Sequence, residues 1–273
     1  MAPEYSGRGE AARSMELLWG RAARGTRGPK PGTDLESVVQ AGIELADAEG
    51  LDAVSMRRVA ERLGIGTMSL YTYVPGKGEL LDLMLDTVYA ERVNDRPGEG
   101  MGPRQRLESL ARNQWDFHRR HPWTLYIASG RAVLGPNELD AYEAAMSAAI
   151  DLGVSARDAV GIVDAVSIFV RGAVRDATEA ENAEQVTGMT ELEWWTERDA
   201  ILTDKMSDGR YPTLGRIDAE GGFAVPEDTE NYNVRFIVDD FEFGLQRMLD
   251  GIESYVAAHR SGKRSRGTRR SKG

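Results

Sequence analysis

The residues best suited to chemistry lie between Ser55 and Val74, in the run SMRRVAERLGIGTMSLYTYV. They are binding types rather than catalytic ones. Thr67, Met68, Ser69, Tyr71, Thr72 and Tyr73 offer small hydroxyls, an apolar methyl and two phenols. Such groups suit hydrogen bonds to phosphate oxygens and apolar contact with thymine methyls. Two-bond reading of guanine or adenine needs Arg, Lys, Asn or Gln, and none occurs from Thr67 to Tyr73. Lys77 heads the next helix and can clamp a phosphate together with the free amides of that helix start. Arg57 and Arg58 open the preceding helix and can do the same.

Those side chains need two short helices held at a fixed angle. Ser55 is a good N-cap for a helix over Met56 to Leu63. Gly64-Ile65-Gly66 reads as a tight turn, with Gly64 free to adopt the left-handed conformation. Thr67 to Tyr73 reads as a second short helix, stopped by Pro75-Gly76. Val59, Ala60, Leu63, Ile65 and Leu70 can share one small core. This is the pattern of a helix-turn-helix, whose second helix meets base edges in the major groove while the first crosses the backbone. Two ordinary packed helices with polar residues exposed by chance remain the alternative on pattern alone. Upstream, Thr33 and Glu36 fit a capping box. It opens a helix that carries Leu35, Val38, Val39, Gly42, Leu45 and Ala46 on one face and ends at Glu49-Gly50. Lys77 opens another helix through about Val93, with Leu80, Leu81, Met84, Leu85 and Val88 as its stripe.

The expected fold class is all-α. Further helices are expected near 103–120, 137–152, 155–183, 190–207 and 231–258. His121-Pro122 is a break, because the residue before proline avoids the helical region. The Gly/Pro/acidic segment 207–231 reads as mobile. Residues 1–32 read as a flexible arm with one short amphipathic piece, Ser14 to Trp19.

Composition narrows the function. The absence of cysteine removes disulfides, thiolate metal sites and cysteine nucleophiles. The three histidines are His118, His121 and His259, too few for most histidine-built metal centres. His118 and His121 stand at i, i+3 but are surrounded by Arg119, Arg120 and Pro122, so no metal site is expected. No Gly-rich phosphate loop or nucleophile elbow is present, and neither catalytic residues nor a cofactor are expected. No apolar run reaches membrane-spanning length and no signal peptide is visible at the N-terminus; the expected location is the cytoplasm.

A net charge of -10 argues at first against nucleic acid. The acids, however, sit in the middle of the chain. Arg260, Lys263, Arg264, Arg266, Arg269, Arg270 and Lys272 crowd the C-terminal tail, and Arg8, Arg13, Arg21, Arg24, Arg27 and Lys30 the N-terminal arm. Basic tails bind phosphate without sequence preference, and an arm before a reader can reach an adjacent groove. A merely solubilising role fits the C-terminal tail equally well.

The run from Val38 to Leu85 closely resembles the DNA-binding domain of the TetR family, in LADAEG, SMRRVAERLG, TMSLYTYVPGK and GELLDLML. The arm segments ELLWG and RGPKPG are similar to a leader found in an actinobacterial branch of that family. Downstream, RRHPW, the loop ending LGPN, VDAVSIFVRGAV and FEFGLQRMLDGIE resemble the tetracycline-repressor-type C-terminal domain. The resemblance implies a homodimeric transcriptional regulator that binds double-stranded operator DNA and a small organic effector, with no membrane partner. It implies a flexible arm over 1–32, a helix-turn-helix domain over 33–78, an effector-binding and dimerisation domain over 79–258, and a basic disordered tail over 259–273.

Two long helices from each subunit, 155–183 and 231–258, would form the dimer bundle. Ile162, Val166, Phe169, Phe241, Leu245 and Met248 would lie at the interface. Their helical spacing supports such a face, although a core within one subunit would give the same pattern. The effector would lie among Trp115, His118, Trp123, Arg131, Phe169, Trp194 and Trp195. At the place where tetracycline repressors carry a histidine for a magnesium–drug complex, this chain reads Arg131-Ala132-Val133-Leu134-Gly135. A different organic and partly aromatic effector is therefore expected. Repression relieved by that effector is the expected function. An activator of the same fold, or a helical ligand-binding enzyme with an incidental helix-turn-helix, are the alternatives.

Overall fold

Asp34, not Thr33, opens the first helix of the reader. Its carboxylate accepts from the Ser37 amide at 2.8 Å and the Ser37 hydroxyl at 2.7 Å. A carboxylate satisfies a free helix amide and also favours the positive end of the helix dipole. The computed structural model describes residues 4–5, 11–23, 33–94, 100–128, 132–207, 209–224 and 232–270. Eleven α-helices, two short 3-10 helices (Leu51–Ala53 and Pro122–Tyr126) and one pair of two-residue strands make up the regular elements among them. The expected all-α class holds.

The reader consists of α2 (Leu35–Glu49), α3 (Met56–Leu63) and α4 (Thr67–Leu70), which follow α1 (Ala11–Ala23). Ser55 caps α3 by accepting from the Arg58 amide at 3.3 Å, and Gly64 ends it with φ of 66°. A side chain at that φ would be strained, which accounts for glycine there. α4 is a single turn rather than the expected Thr67–Tyr73 helix. Tyr71 to Tyr73 continue as a turn, in which the Thr72 hydroxyl donates to the Ser69 carbonyl at 2.6 Å. Val74 precedes proline and must leave the helical region, which leaves too few residues to extend α4.

α5 (Lys77–Asn94) crosses beneath the reader. The crossing is close at Gly42 of α2, where an added methyl would stand 2.7 Å from the Met84 sulfur. Val38, Val39, Val59, Leu70, Leu80 and Met84 join Phe117, Trp123 and Ile127 in one buried cluster. The reader and the helices after it therefore share a core rather than a hinge-like linker.

α6 (Pro103–Arg120), α7 (Pro136–Ile150) and α8 (Ala156–Thr187) follow. Two compact units are distinguished, one of residues 1–172 with 245–273 and one of residues 173–244. The second contains α9 (Glu191–Ser207) and α10 (Pro212–Ala219), and α11 (Tyr232–Arg270) contributes to both. α10 lies in the segment read as mobile, where Pro212 supplies a preset first helical position. α11 runs on through Arg270, so a tail expected to be disordered from 259 is helical backbone.

The N-terminal segment is also more ordered than the expected arm. β1 (Glu4–Tyr5) pairs in parallel with β2 (Ile127–Ala128). α1 packs on α5 and α7, and its Leu18 is 1% exposed within the main core. Leu17 and Leu18 give α1 an apolar edge that burial against α5 satisfies.

Candidate nucleic-acid interface and effector cavity

The face expected to read DNA is largely open. Met68 is 79% exposed, and Ser69, Tyr71 and Thr72 are exposed with it. Thr67, Tyr73 and Lys77 are half-buried, and Tyr73 packs against the core. Arg57 is exposed and lies 3.6 Å from Glu61. Arg58 behaves differently from the expected phosphate clamp. It binds Glu49 of α2 at 2.6 Å and, through that hydrogen bond, holds the Glu49 carboxyl below its usual range. Arg62 grips Glu44 at 2.7 Å in the same way. These pairs brace α3 on α2, while Arg57 keeps its guanidinium toward solvent.

Behind the reader lies a cavity of about 440 Å³, walled by α5, α6, α7, α8 and the loop before α7. That volume suits an organic molecule of moderate size. Its walls are mostly apolar, with Leu85, Leu107, Leu110, Ile127, Val163 and Val166 among them. Polar groups enter at Tyr89, Arg92, Gln114, His118, Thr124, Glu138, Asp164, Ser167 and Arg171. Gln114 donates to the Ser167 hydroxyl at 2.9 Å, which fixes one side of the opening between α6 and α8.

Of the residues expected to contact an effector, His118 lines this cavity. Trp123 is buried and belongs to the junction described below. Trp115 and Phe169 are half-buried outside the cavity wall. Trp194 and Trp195 stand exposed on α9 in the second unit, packed edge to face with ring centroids 4.9 Å apart. Arg131 lies outside the described residues. The wall residues that sequence reasoning missed are Tyr89, Arg92 and Arg171. Arg92 carried a signal: it falls four residues after Val88 and seven after Leu85, in phase with a buried stripe. A charge in that position is either paired or waiting for a ligand.

The junction between cavity and reader is a small polar network. The His121 Nδ1 bonds Asp47 of α2 at 2.8 Å and its Nε2 bonds Glu91 of α5 at 3.1 Å. The Trp123 indole donates to the same Asp47 oxygen at 2.7 Å. Burial alone would depress the His121 imidazole, but its bonds to Asp47 and Glu91 outweigh it, and its pKa is raised. A carboxylate on each nitrogen favours the doubly protonated ring. The contacts run on into the cavity wall. Thr124 donates to the His121 carbonyl at 2.7 Å and bonds the His118 Nδ1 at 2.7 Å. The end of α6 and the short turn after it thus touch both the cavity and α2.

Residues 38–84 match the family described as bacterial regulatory proteins, tetR family, and residues 96–256 match the tetracyclin repressor-like C-terminal domain. The chain belongs to the TetR family. It is accordingly a DNA-binding transcriptional regulator. Among curated relatives, the HTH-type transcriptional repressor DrrR1 of Streptomyces coeruleorubidus is 44% identical over 94% of this chain and 91% of its own length. Apo ActR of Streptomyces coelicolor superimposes with a TM-score of 0.63 at 25% identity, covering 85% of this chain and all of that one. ActR in complex with actinorhodin gives 0.60 at 25% identity, over 82% of this chain and 96% of that one. This TetR-family chain differs from the expectation of a free arm, because its N-terminal helix packs on α5 and α7. Its dimer candidates also divide. Ile162, Val166, Phe241 and Leu245 are already buried within one protomer, and Phe169 and Met248 are half-buried. Among the described residues no helix is long and apolar enough to cross a membrane.

Proposed function

We propose that the protein is a homodimeric cytoplasmic repressor that leaves its operator when an organic molecule fills the cavity between α5, α6, α7 and α8. The observation that carries this reading is the shared segment at the end of α6. Within it, His118 and Thr124 line the cavity while His121 and Trp123 bond Asp47 of the reader. A ligand that displaces that segment acts on α2 directly. ActR, a protein of similar fold, is solved in complex with actinorhodin, which supports a small-molecule effector for this chain.

The DNA contacts are assigned to Thr67, Met68, Ser69, Tyr71, Thr72 and Tyr73, with Arg57 and Lys77 on phosphates. Dimerisation is assigned to the outward faces of α8 and α11. The expected Phe169 and Met248 keep partial exposure there, and Ile168 at 72% and Phe243 at 64% are apolar positions that a partner would cover. The test is a gel shift of the full chain against the DNA upstream of its own gene at two salt concentrations. A selective complex weakened by salt is expected. Tyr71→Ala should abolish it with the fold intact, and Lys77→Ala should weaken all sites alike and lower the salt slope by about one. Binding that ignores both sequence and Tyr71→Ala would overturn the assignment.

A further inference from the structure

Two arginines enter the cavity, and neither is directly paired by a carboxylate of its walls. Arg92 enters from α5 and Arg171 from α8. The Arg92 guanidinium lies 5.4 Å from the Tyr89 ring centroid and 5.7 Å from that of Phe117. Its Nε is buried and has no hydrogen-bond partner among the described residues. Neither arginine forms an ion pair with a carboxylate among the described residues. The nearby Glu138 carboxylate is engaged elsewhere, accepting from the Leu134 amide at 2.7 Å, and Asp164 stands exposed at the rim. Burial lowers Arg92 from its usual value, against the opposing pull of Tyr89 and Glu138. A guanidinium remains protonated in proteins, so an anion brought beside it would offset a burial cost that loss of the proton cannot.

His118 adds a second, neutral feature. The Thr124 hydroxyl gives its one hydrogen to the His121 carbonyl, so toward His118 it can only accept. His118 Nδ1 therefore carries the proton. Burial, with the charges of Arg92 and Arg171, holds the ring neutral. Its Nε2 is left as an acceptor.

We propose that the cavity takes an aromatic organic acid: a largely apolar ring system bearing an ionised carboxyl or comparably acidic oxygen that pairs with Arg92, and a hydroxyl that donates to His118 Nε2. This rests on the cavity being the effector site. Arginine matches an acid oxygen by charge and by its planar fork, and the apolar walls cover the rings.

The test is calorimetric titration of the full chain with anthraquinone-2-carboxylate and with the corresponding carboxamide, which has the same shape and no charge. The acid should bind at least about tenfold more tightly. Arg92→Gln should remove most of that preference while leaving the carboxamide within about threefold, and Arg92→Lys should restore part of it. Should Arg92→Gln fail to fold, the acid-to-amide ratio of the wild-type chain still decides. A ratio near one, an unchanged ratio in Arg92→Gln, or no binding of the acid overturns the proposal. Both compounds are then added to the protein–operator complex. An acid that binds through Arg92 without releasing DNA sinks the effector reading and leaves the ligand class standing. A neutral compound that releases DNA while the acid does not bind has the reverse meaning.

Discussion

His121 joins α6 to α2 and α5, and its charge is the reason it can. Its folded pKa is raised above the ordinary value of 6.5 by Asp47 and Glu91, against the pull of burial. A base raised in the folded state contributes stability that is complete below its unfolded pKa and lost as pH climbs through the folded one. The His118 ring is depressed, first by burial, and so works in the opposite sense: its neutral form is favoured and stability falls as pH drops below 6.5. Comparison of wild type with His121→Asn isolates the first effect. Wild type should lose part of its advantage over the variant between about pH 6 and about pH 8, read as converging urea midpoints. Parallel midpoints would mean that His121 is neutral in the fold. At this scale the exposure of the hydroxyl-rich face was legible, because polar residues between apolar core positions stay at the surface. The cavity wall was not. Tryptophans suggest ligand anchors by type, yet Trp123 serves Asp47 and Trp194 packs edge to face on Trp195; only packing from distant helices decides which residue walls a cavity.

At the scale of the element, the start of α7 shows how a loop is fixed by one carboxylate. Asp86 of α5 accepts from the Asn137 and Glu138 amides, each at 3.0 Å, and from the Asn137 side chain at 3.1 Å. It thereby supplies the N-terminal cap that Gly135 cannot. Leu134 just before it takes a positive φ of 61°, and a methyl on Gly135 would overlap the Asp86 carboxylate. Gly135→Ala should therefore destabilise the protein by about 1–3 kcal/mol. In the Asp86→Ala background the added cost should be much smaller, a non-additivity that a double-mutant cycle reads. Additive losses would place the strain elsewhere. Most helices were legible within a few residues because their apolar period is strong, as in α5. The cap of α2 was misplaced by one residue, since Thr33 and Asp34 are both good caps and the choice depends on which geometry closes. α10 was missed because a Gly/Pro-rich context hid a two-turn helix.

For the molecule as a whole, the N-terminal helix changes what counts as the body around the cavity. The indole of Trp19 donates to the Leu134 carbonyl at 3.1 Å, and Leu134 and Ile127 both line the cavity. With Leu18 sealed in the core, α1 braces that wall from behind. Leu18→Ala should cost about 2–5 kcal/mol, visible as a lower urea midpoint with unchanged slope; an unaffected midpoint would restore the free arm that composition suggested. Burial of a single leucine was not legible, because a short amphipathic piece among glycines and arginines fits a tail as well as a docked helix.

The segment at the end of α6 that touches both cavity and reader has a thermodynamic corollary. Whatever factor a ligand takes from operator affinity, the operator must take from ligand affinity, since the two share one equilibrium. The regulator on its operator is then a poorer ligand trap than the same regulator free in solution. Unbound copies fill first, and the concentration that switches the gene rises with the number of copies in the cell.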